Sequence, residues 1–463
     1  MSQRVSSSFR DPSGFVYFNN GQLLRQVNRV YQPDYDLLMS SGLFAKLVKQ
    51  HQLVNHRECD EMPLDAASAY KVICPERIEF ISYPYEWSFS QLQDAALLTL
   101  AVEKEALEFG MALKDASAYN IQFLKGAPIL IDTLSFARYV EGEPWVAYRQ
   151  FCQHFLAPLA LMAKVDIRLN KELINYIDGI PLDLCSAMLP RGTRYQMGLA
   201  MHIHMHAQAQ AKAESAQAAN QAPAATPARK ISKVGLIGLI ESLENLVRGL
   251  KCPIKGNSWA DYYSATNYTD AAFEEKKKIV AEAVTELKPH LIYDLGANTG
   301  LFSRAAAGDE KALVISSDID PEAVELNYRE LKKDGVKNIL PLVLDLTNPS
   351  PAIGWDNRER DAYLQRAHAD LVLALALVHH LAIANNVPLG DIAASFARIG
   401  TYLLIEFVPK EDSQVQRLLR TRTDIFEQYT LEGMLAAFAP YYELMKKTPV
   451  QGSKRTLLLF KAK

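Results

Sequence analysis

The chain has 463 residues, of which 49% are apolar and 22% are charged, and its formal net charge is −3. This length accommodates two or three domains, each with its own core, and the composition is that of a globular protein. The slightly acidic balance argues against nonspecific binding to nucleic acid through a broad basic face. We therefore expect no nucleic-acid partner.

The cysteines and the hydropathy pattern bear on the cellular compartment. Scattered cysteines without CxxC spacing fit a reducing compartment and predict no zinc site. They are Cys59, Cys74, Cys152, Cys185 and Cys252. No run of about 18 apolar residues occurs in the chain, and the N-terminus is rich in serine without an apolar core. We expect a cytoplasmic protein without membrane association.

A helix followed by an Asp-x-x-x-x-Asn loop is the most distinctive pattern of the first half. Apolar residues at helical spacing predict the helix over residues 91–109. The loop runs from Asp115 to Asn120, and two short strands follow it, the second of which ends at Asp132. This order resembles the catalytic segment of the protein kinase-like and small-molecule phosphotransferase folds.

The resemblance implies roles for these residues and for two upstream segments. Asp115 would face an acceptor hydroxyl, while Asn120 and Asp132 would hold magnesium. Residues 70–73 would form a strand that offers a phosphate-binding lysine, and residues 78–83 a strand that leads into the hinge.

Several features of such enzymes are absent from the sequence. No His-Arg precedes Asp115, Thr133-Leu134 stands where Phe-Gly would follow Asp132, and the first 70 residues contain no GxGxxG loop. Backbone amides that would cradle phosphates are therefore missing. We predict that residues 1–206 form a degenerate kinase-like α+β domain for structure or substrate binding. ATP with magnesium would bind only if the domain is an active phosphotransferase, and chance similarity is the third interpretation.

Two polar features follow. Histidines alternate over residues 201–206, and in a strand they would share a face that could bind a metal. No cysteine or acidic cluster lies nearby, so we predict no metal site. We interpret residues 201–206 as an exposed strand edge or the start of a helix. Residues 207–230 are rich in Ala, Gln and Pro and predict a linker, which is either flexible or helical as far as its prolines.

Residues 231–290 are predicted to form a helical lead-in and a lid. Apolar residues at helical spacing predict helices over residues 231–250 and 271–287. Between them stand the aromatic residues Trp259, Tyr262 and Tyr268, which either pack in an ordinary core or close over a ligand.

A loop flanked by glycines follows the apolar run at residues 291–293. It reads Asp294-Leu-Gly296-Ala-Asn298-Thr-Gly300 and predicts a buried strand that ends where backbone approaches a ligand closely. The loop lacks the three glycines of the dinucleotide-binding fingerprint. It resembles motif I of the class I S-adenosylmethionine (SAM) methyltransferases, although many members carry glycine where Asn298 stands.

Acidic residues also end the next two predicted strands. Residues 312–317 lead to Asp318, and residues 339–344 lead to Asp345. A carboxylate after the second strand of a doubly wound fold accepts hydrogen bonds from ribose hydroxyls. The resemblance implies that Asp345 accepts from the adenine amino group. It assigns to the cofactor SAM the residues Asp294, Gly296, Ala297, Asn298, Gly300, Asp318, Ile319, Asp345, Leu346 and Tyr268.

Two further runs, over residues 369–377 and 401–407, continue the predicted sheet. The resemblance implies two last strands near residues 441–444 and 456–460. The family resemblance makes the last strand antiparallel. We therefore predict an α/β domain over residues 291–463 with a doubly wound, seven-stranded sheet.

The segment after the fourth predicted strand usually faces the transferred methyl group in this family. Here it reads Val378-His379-His380, with no Asn/Asp-Pro-Pro-Tyr motif, which argues against amino-group methyltransferases of adenine or glutamine. A histidine that titrates near neutrality suits deprotonation of a hydroxyl or an acidic carbon. His379 and His380 are therefore the candidate catalytic residues, unless they cap the strand or pack beneath the cofactor.

These patterns predict a SAM-dependent methyltransferase. We expect a small-molecule or conjugated metabolite as the acceptor, methylated on oxygen or carbon. The alternatives are a bifunctional phosphotransferase–methyltransferase, a methyltransferase of a protein or RNA acceptor, and a non-enzymatic scaffold.

Overall fold

The chain divides into two compact units. A computed structural model describes residues 3–210, 230–254, 270–308, 312–366, 368–420 and 423–463. The first unit comprises Met1–Pro253 together with the short segment Ala352–Arg360. The second unit comprises Ile254–Pro351 and Asp361–Lys463. None of the described helices combines the length and apolarity that a membrane crossing requires.

The first unit begins with an antiparallel sheet in the order β1-β2-β3-β5-β4, and two small antiparallel pairs, β6-β9 and β7-β8, follow. Its strands are β1 (Gln3–Arg4), β2 (Gly14–Asn19), β3 (Gln22–Asn28), β4 (His56–Glu58), β5 (Ala69–Pro75), β6 (Met111–Leu113), β7 (Ile121–Leu124), β8 (Ala127–Leu130) and β9 (Phe136–Arg138). Its α-helices are α1 (Gln32–Ser40), α2 (Leu43–Lys49), α3 (Phe89–Glu108), α4 (Tyr148–Phe151), α5 (Ala157–Lys164), α6 (Glu172–Asn175), α7 (Leu182–Met188), α8 (Met197–Leu199) and α9 (Lys233–Gly249). This is an α+β arrangement, and its likeness to kinases stays a prediction.

The start of helix α3 is marked in the sequence by a capping motif. Ser88 precedes it, and its hydroxyl accepts a hydrogen bond from the Gln91 N–H while the Gln91 side chain accepts from the Ser88 N–H. This reciprocal capping box fixes the start of the helix. The predicted helix over residues 91–109 is confirmed to within two residues at each end.

The strand predicted at residues 78–83 is not formed. The backbone N–H of Ser82 donates to the side-chain oxygen of Gln122, and the Gln122 amide donates back to the Ser82 carbonyl. A buried side chain thus satisfies the backbone groups that a neighbouring strand would otherwise have paired.

Helix α9 belongs to the first unit, which differs from its predicted place in a lead-in to the second. It packs against α3, and Gln93 of α3 donates hydrogen bonds to the carbonyls of Val247 and Leu250. The apolar stripe of α9 predicted a buried face correctly. A stripe alone does not say which core covers it.

The segment Ala352–Arg360 is likewise assigned to the first unit, although the predicted domain ran unbroken over residues 291–463. The Glu359 side chain is only 2% exposed and pairs with Arg10 at 2.8 Å. The Arg360 guanidinium lies 4.3 Å from the centroid of the Tyr119 ring. These contacts explain why the segment clusters with the first unit.

The second unit contains the predicted seven-stranded sheet. Its strands are β10 (Leu291–Leu295), β11 (Leu313–Asp318), β12 (Ile339–Val343), β13 (Ala369–Ala374), β14 (Gly400–Phe407), β15 (Tyr442–Pro449) and β16 (Thr456–Ala462). Their order is β12-β11-β10-β13-β14-β16-β15. The first five in the chain are parallel, and β16 pairs antiparallel with both β14 and β15. The doubly wound sheet with an antiparallel last strand is confirmed.

Helices flank this sheet and bury its parallel strands, which read as apolar runs because both of their faces are covered. The edge strand β15 is mostly exposed. The flanking helices are α10 (Asp270–Leu287), α11 (Leu301–Ala307), α12 (Pro321–Asp334), α13 (Tyr363–Arg366), α14 (Leu389–Ile399), α15 (Ser413–Leu419) and α16 (Leu431–Phe438). Helix α12 starts at Pro321, and the Asp320 carboxylate accepts from the Glu322 N–H. Proline at the first helical position costs no hydrogen bond there.

Candidate active site

The glycine loop joins β10 to α11 through three residues in the left-handed region. Gly296 has φ +74°, Asn298 +52° and Gly300 +79°. A Cβ built on Gly300 would lie 2.5 Å from the side-chain amide of Asn327, so only glycine fits there. The N–H groups of Gly296 and Ala297 both donate to the Ser317 carbonyl at 2.9 Å. The loop is therefore fixed onto the end of β11.

Asp294 is the second-last residue of β10, just before this loop, and is buried. Its Oδ2 accepts a hydrogen bond of 2.6 Å from the Ser303 hydroxyl, and Ser303 in turn lies 2.8 Å from the Ser316 hydroxyl. Burial raises the pKa of Asp294 to about 6. These bonds tie β10, α11 and β11 together at the edge where the loop begins.

Asp318 is the last residue of β11. One carboxylate oxygen accepts from the Asn298 N–H at 2.7 Å, and the other accepts from the Asp320 N–H at 2.9 Å. Burial raises the pKa of Asp318 to about 6, against these hydrogen bonds. Each carboxylate oxygen has two lone pairs, so both can still accept from a ribose hydroxyl.

The remaining predicted cofactor residues lie along the same edge of the sheet. Asp345 and Leu346 follow β12 and are half-buried, and Asp345 accepts from both the N–H and the hydroxyl of Thr347. The Ile319 side chain follows Asp318 and is 58% exposed, as a residue that packs on a ligand would be. Tyr268 lies outside the described residues.

The strand β13 ends in a strained turn. Ala376 has φ +50°, which is uncommon for a residue with a side chain. Its N–H donates to Glu406 Oε2 at 2.7 Å, and Lys276 Nζ lies 2.5 Å from the same oxygen. Sequence reasoning gave no sign of Lys276, because nothing in a surface-like helix pattern marks one lysine of α10 as buried.

The candidate catalytic histidines follow this turn and differ in exposure. His379 is wholly buried, and neither of its ring nitrogens has a hydrogen-bond partner within the described residues. His380 is half-buried, and the two ring centroids are 4.2 Å apart. The partly exposed His380 is therefore better placed than His379 to meet an acceptor.

The expected titration near neutrality does not hold for either histidine. Burial lowers the pKa of His379 well below its usual value, and neighbouring positive charges add to this effect. Burial, together with Arg455, lowers the pKa of His380 to about 4. Both imidazoles are accordingly neutral at pH 7, and the lowered pKa makes each a weaker base than an ordinary histidine.

The candidate residues of the first unit also come together. Asp115 accepts from Gln150 at 2.8 Å and hydrogen-bonds to Asn120, and burial with the nearby charge of Asp132 raises its pKa. Burial alone would raise the pKa of Asp132, but the charge and hydrogen bond of Arg25, together with hydrogen bonds from the Leu134 N–H and Ser135, lower it. Arg25 Nη1 lies 2.6 Å from Asp132 Oδ1.

The lysine expected to bind phosphate is not at this cluster. Lys71 pairs with Glu58 at 2.7 Å, and both side chains are exposed. Arg25 of β3 holds the cationic place instead, and sequence reasoning missed it. The sequence did place a charged residue, Arg25, inside the partly apolar run of β3. A buried charge requires a partner, so an ion pair could have been expected there.

The alternating histidines lie in helix rather than strand. The segment Ala200–Met205 is a π-helix. His202 bonds to the hydroxyls of Tyr148 and Ser242, and His204 to those of Ser186 and Thr193. Within the described residues, no group of three or more His, Cys, Asp or Glu side chains could hold a metal ion.

The strand order, the antiparallel β16 and the glycine loop at the end of β10 together define the second unit as a class I methyltransferase fold. No known family profile matches the chain. It is 36% identical over 460 residues to the nodulation protein NoeA of Rhizobium meliloti strain 1021, across 99% of this chain and 96% of NoeA. The chain belongs to the NoeA family.

Solved structures similar to part of the chain include two methyltransferases. The N-methyltransferase NodS from Bradyrhizobium japonicum WM9 has a TM-score of 0.32 and 11% identity, over 42% of this chain and 97% of NodS. The magnesium protoporphyrin IX methyltransferase ChlM from Synechocystis PCC 6803 with bound SAH has a TM-score of 0.33 and 16% identity, over 44% of this chain and 92% of ChlM.

Proposed function

We propose that this chain is a SAM-dependent methyltransferase whose cofactor lies across the carboxyl ends of β10, β11 and β12. The observation that carries the proposal is Asp318, which fixes the glycine loop through the Asn298 N–H and keeps lone pairs for ribose hydroxyls. Gly300 supports it, because no other residue fits beside Asn327. SAM supplies a methyl group already activated by a positively charged sulfur.

The protein then has to hold the acceptor in line and exclude water. His380 follows β13 and is unprotonated at pH 7, so it is available as a weak general base toward an acceptor oxygen or carbon. We propose a small-molecule or conjugated metabolite as the acceptor. Because NoeA is named a nodulation protein, we extend a role in nodulation to this chain, and we place the reaction in the cytoplasm.

Asp318→Ala is expected to weaken SAM binding by about 1–3 kcal/mol, because it removes hydrogen bonds to the ribose. Isothermal calorimetry of the full chain with SAM measures the change. Asp334→Ala is the matched control, since Asp334 is an exposed acid at the opposite end of α12. Thermal unfolding of both variants separates lost binding from lost fold. Unchanged affinity in a folded Asp318→Ala protein would remove the assignment of this carboxylate.

For the first unit, we propose a role in structure or substrate binding rather than phosphoryl transfer. Support comes from Arg25, which already neutralises Asp132, because a carboxylate paired with a cation is a poor magnesium ligand. Asp115, expected to face an acceptor hydroxyl, already accepts at Oδ1 from both Gln150 and the Ser117 N–H. The bifunctional alternative requires that ATP with magnesium displace Arg25.

A thermal-shift assay of the full chain distinguishes the two possibilities. We expect ATP with magnesium to leave the unfolding temperature unchanged, whereas SAM raises it, since only a ligand that binds the folded state stabilises it. SAM is the positive control in the same samples. A magnesium-dependent shift with ATP that disappears in Asp132→Asn would establish the bifunctional alternative.

A further inference from the structure

Four charged side chains are buried around the end of β14. Glu406 is wholly buried, and Lys276 Nζ and Arg455 Nη1 lie 2.5 and 3.4 Å from its two carboxylate oxygens. Arg455 Nε lies 2.8 Å from Asp412 Oδ2. Two positive and two negative groups balance one another, and such pairing is what permits charges in a protein interior.

The Glu406 carboxylate also holds a strained turn of the backbone. It accepts the Ala376 N–H at 2.7 Å, and Ala376 has φ +50°. A residue with a Cβ keeps this conformation only where its surroundings impose it. Lys276 and Arg455 orient the carboxylate, and the carboxylate in turn orients the Ala376 amide.

The turn at Ala376 connects β13 to the segment that contacts the glycine loop and carries His380. The next residue, Leu377, lies against the glycine loop, since a Cβ built on Gly296 would be 3.2 Å from Leu377 Cδ1. The chain then continues to His380, whose backbone N–H donates a hydrogen bond to the Leu377 carbonyl. The conformation at Ala376 therefore sets the direction in which His380 leaves the sheet.

We propose that Glu406 is a positioning residue for methyl transfer: its carboxylate fixes the turn at Ala376, and the turn places His380 against the acceptor. The role of His380 rests on the proposed function, whereas the fixing of the turn does not.

Two charge-balanced double variants test this inference. Lys276→Met accompanies each change of Glu406, so that one positive and one negative charge leave the interior together. In Lys276→Met/Glu406→Gln, the amide oxygen still accepts the Ala376 N–H. In Lys276→Met/Glu406→Leu, no acceptor replaces it. The glutamine double variant is thus the matched control for the leucine one.

Hydrogen–deuterium exchange of the peptide that contains Ala376 reports the turn directly. We expect exchange about 10-fold or more faster in the leucine than in the glutamine double variant, because the amide loses its partner. Equal exchange would overturn the inference. This comparison stands even if the wild-type chain binds no SAM, an outcome that would contradict the proposed function alone.

Methyl transfer is followed with tritium-labelled SAM and a small-molecule extract of cells that lack the protein. At saturating SAM, we expect label transfer about 10-fold or more slower in the leucine than in the glutamine double variant, with the half-saturating SAM concentration unchanged. A change confined to SAM saturation would make Glu406 part of the cofactor site and overturn the inference.

Adding Ala376→Gly to the leucine double variant provides a rescue. Glycine adopts the left-handed region freely, so we expect it to recover part of the lost rate, and to restore the fold should the leucine variant unfold. No recovery of either would count against the inference.

Discussion

Replacing His380 with alanine is expected to slow methyl transfer by about 100-fold or more while SAM affinity stays near that of the wild type. The side chain is half-buried at the end of the segment that follows β13, so its loss removes the proton acceptor and leaves the glycine loop intact. Label transfer from tritium-labelled SAM to the metabolite extract gives the rate, and calorimetry gives the affinity.

The pH dependence provides a second readout of His380. Since its pKa is lowered to about 4, the rate is expected to be level from about pH 5 to 8 and to fall below pH 5 as the imidazole is protonated. A base of ordinary histidine pKa would place the inflection near 6.5.

His379→Gln is the matched control for His380→Ala. His379 is wholly buried, so its replacement should lower the stability of the second unit and leave the pH profile unchanged. Full activity in His380→Ala, or an acid limb that persists unaltered in it, would show that another group accepts the proton.

Glu103→Gln is expected to gain about 3 kcal/mol of stability relative to the wild type as pH rises from 5 to 8. Glu103 lies in α3, is wholly buried and accepts a hydrogen bond from the Leu113 N–H. Its Oε1 has no partner within the described residues. Burial raises the pKa of Glu103 to about 8, so the folded chain keeps a proton that the unfolded chain releases.

The sign follows from this difference in bound protons. Between the unfolded pKa of about 4.5 and the folded pKa of about 8, the unfolded state binds fewer protons, so stability falls as pH rises. Glutamine has no proton to keep, and the advantage of the variant should therefore grow from pH 5 to pH 8. Unfolding temperatures at these two pH values measure it.

Glu108→Gln is the control for this experiment. Glu108 ends the same helix and takes part in an exposed ion pair with Lys233, which contributes little to stability. A Glu103→Gln variant whose advantage does not depend on pH would mean that Glu103 is ionised in the folded protein.

The sheet of the second unit was predictable because each of its central strands is marked by an apolar run that is contiguous in the sequence. Runs such as residues 291–293 and 371–374 are continuously apolar, as strands covered on both faces must be. Asp294 and Asp318 directly follow such runs, so the loop and its acids could be predicted from their spacing together with the family resemblance. The order of those acids predicts a site at one edge of the sheet.

The parts that sequence did not reveal depend on distant pairs. Lys276 and Glu406 are 130 residues apart, and Arg25 meets Asp132 from a different sheet. Neither the types of these residues nor their periodicity predicts an ion pair between positions so far apart in the sequence. The lowered pKa of His380 has the same origin, because burial is a property of the folded chain.

The assignment of Ala352–Arg360 to the first unit means that the polypeptide passes between the two units three times rather than once. No single cut can therefore divide the protein into two complete halves: a fragment that ends at Pro253 would leave Arg10 without Glu359, the nearer of the two carboxylates that it pairs with. On the ribosome, the first unit cannot be finished until β10, β11 and β12 of the second have emerged. Gene fragments designed at the apparent linker would yield an N-terminal product that is missing part of its own interior.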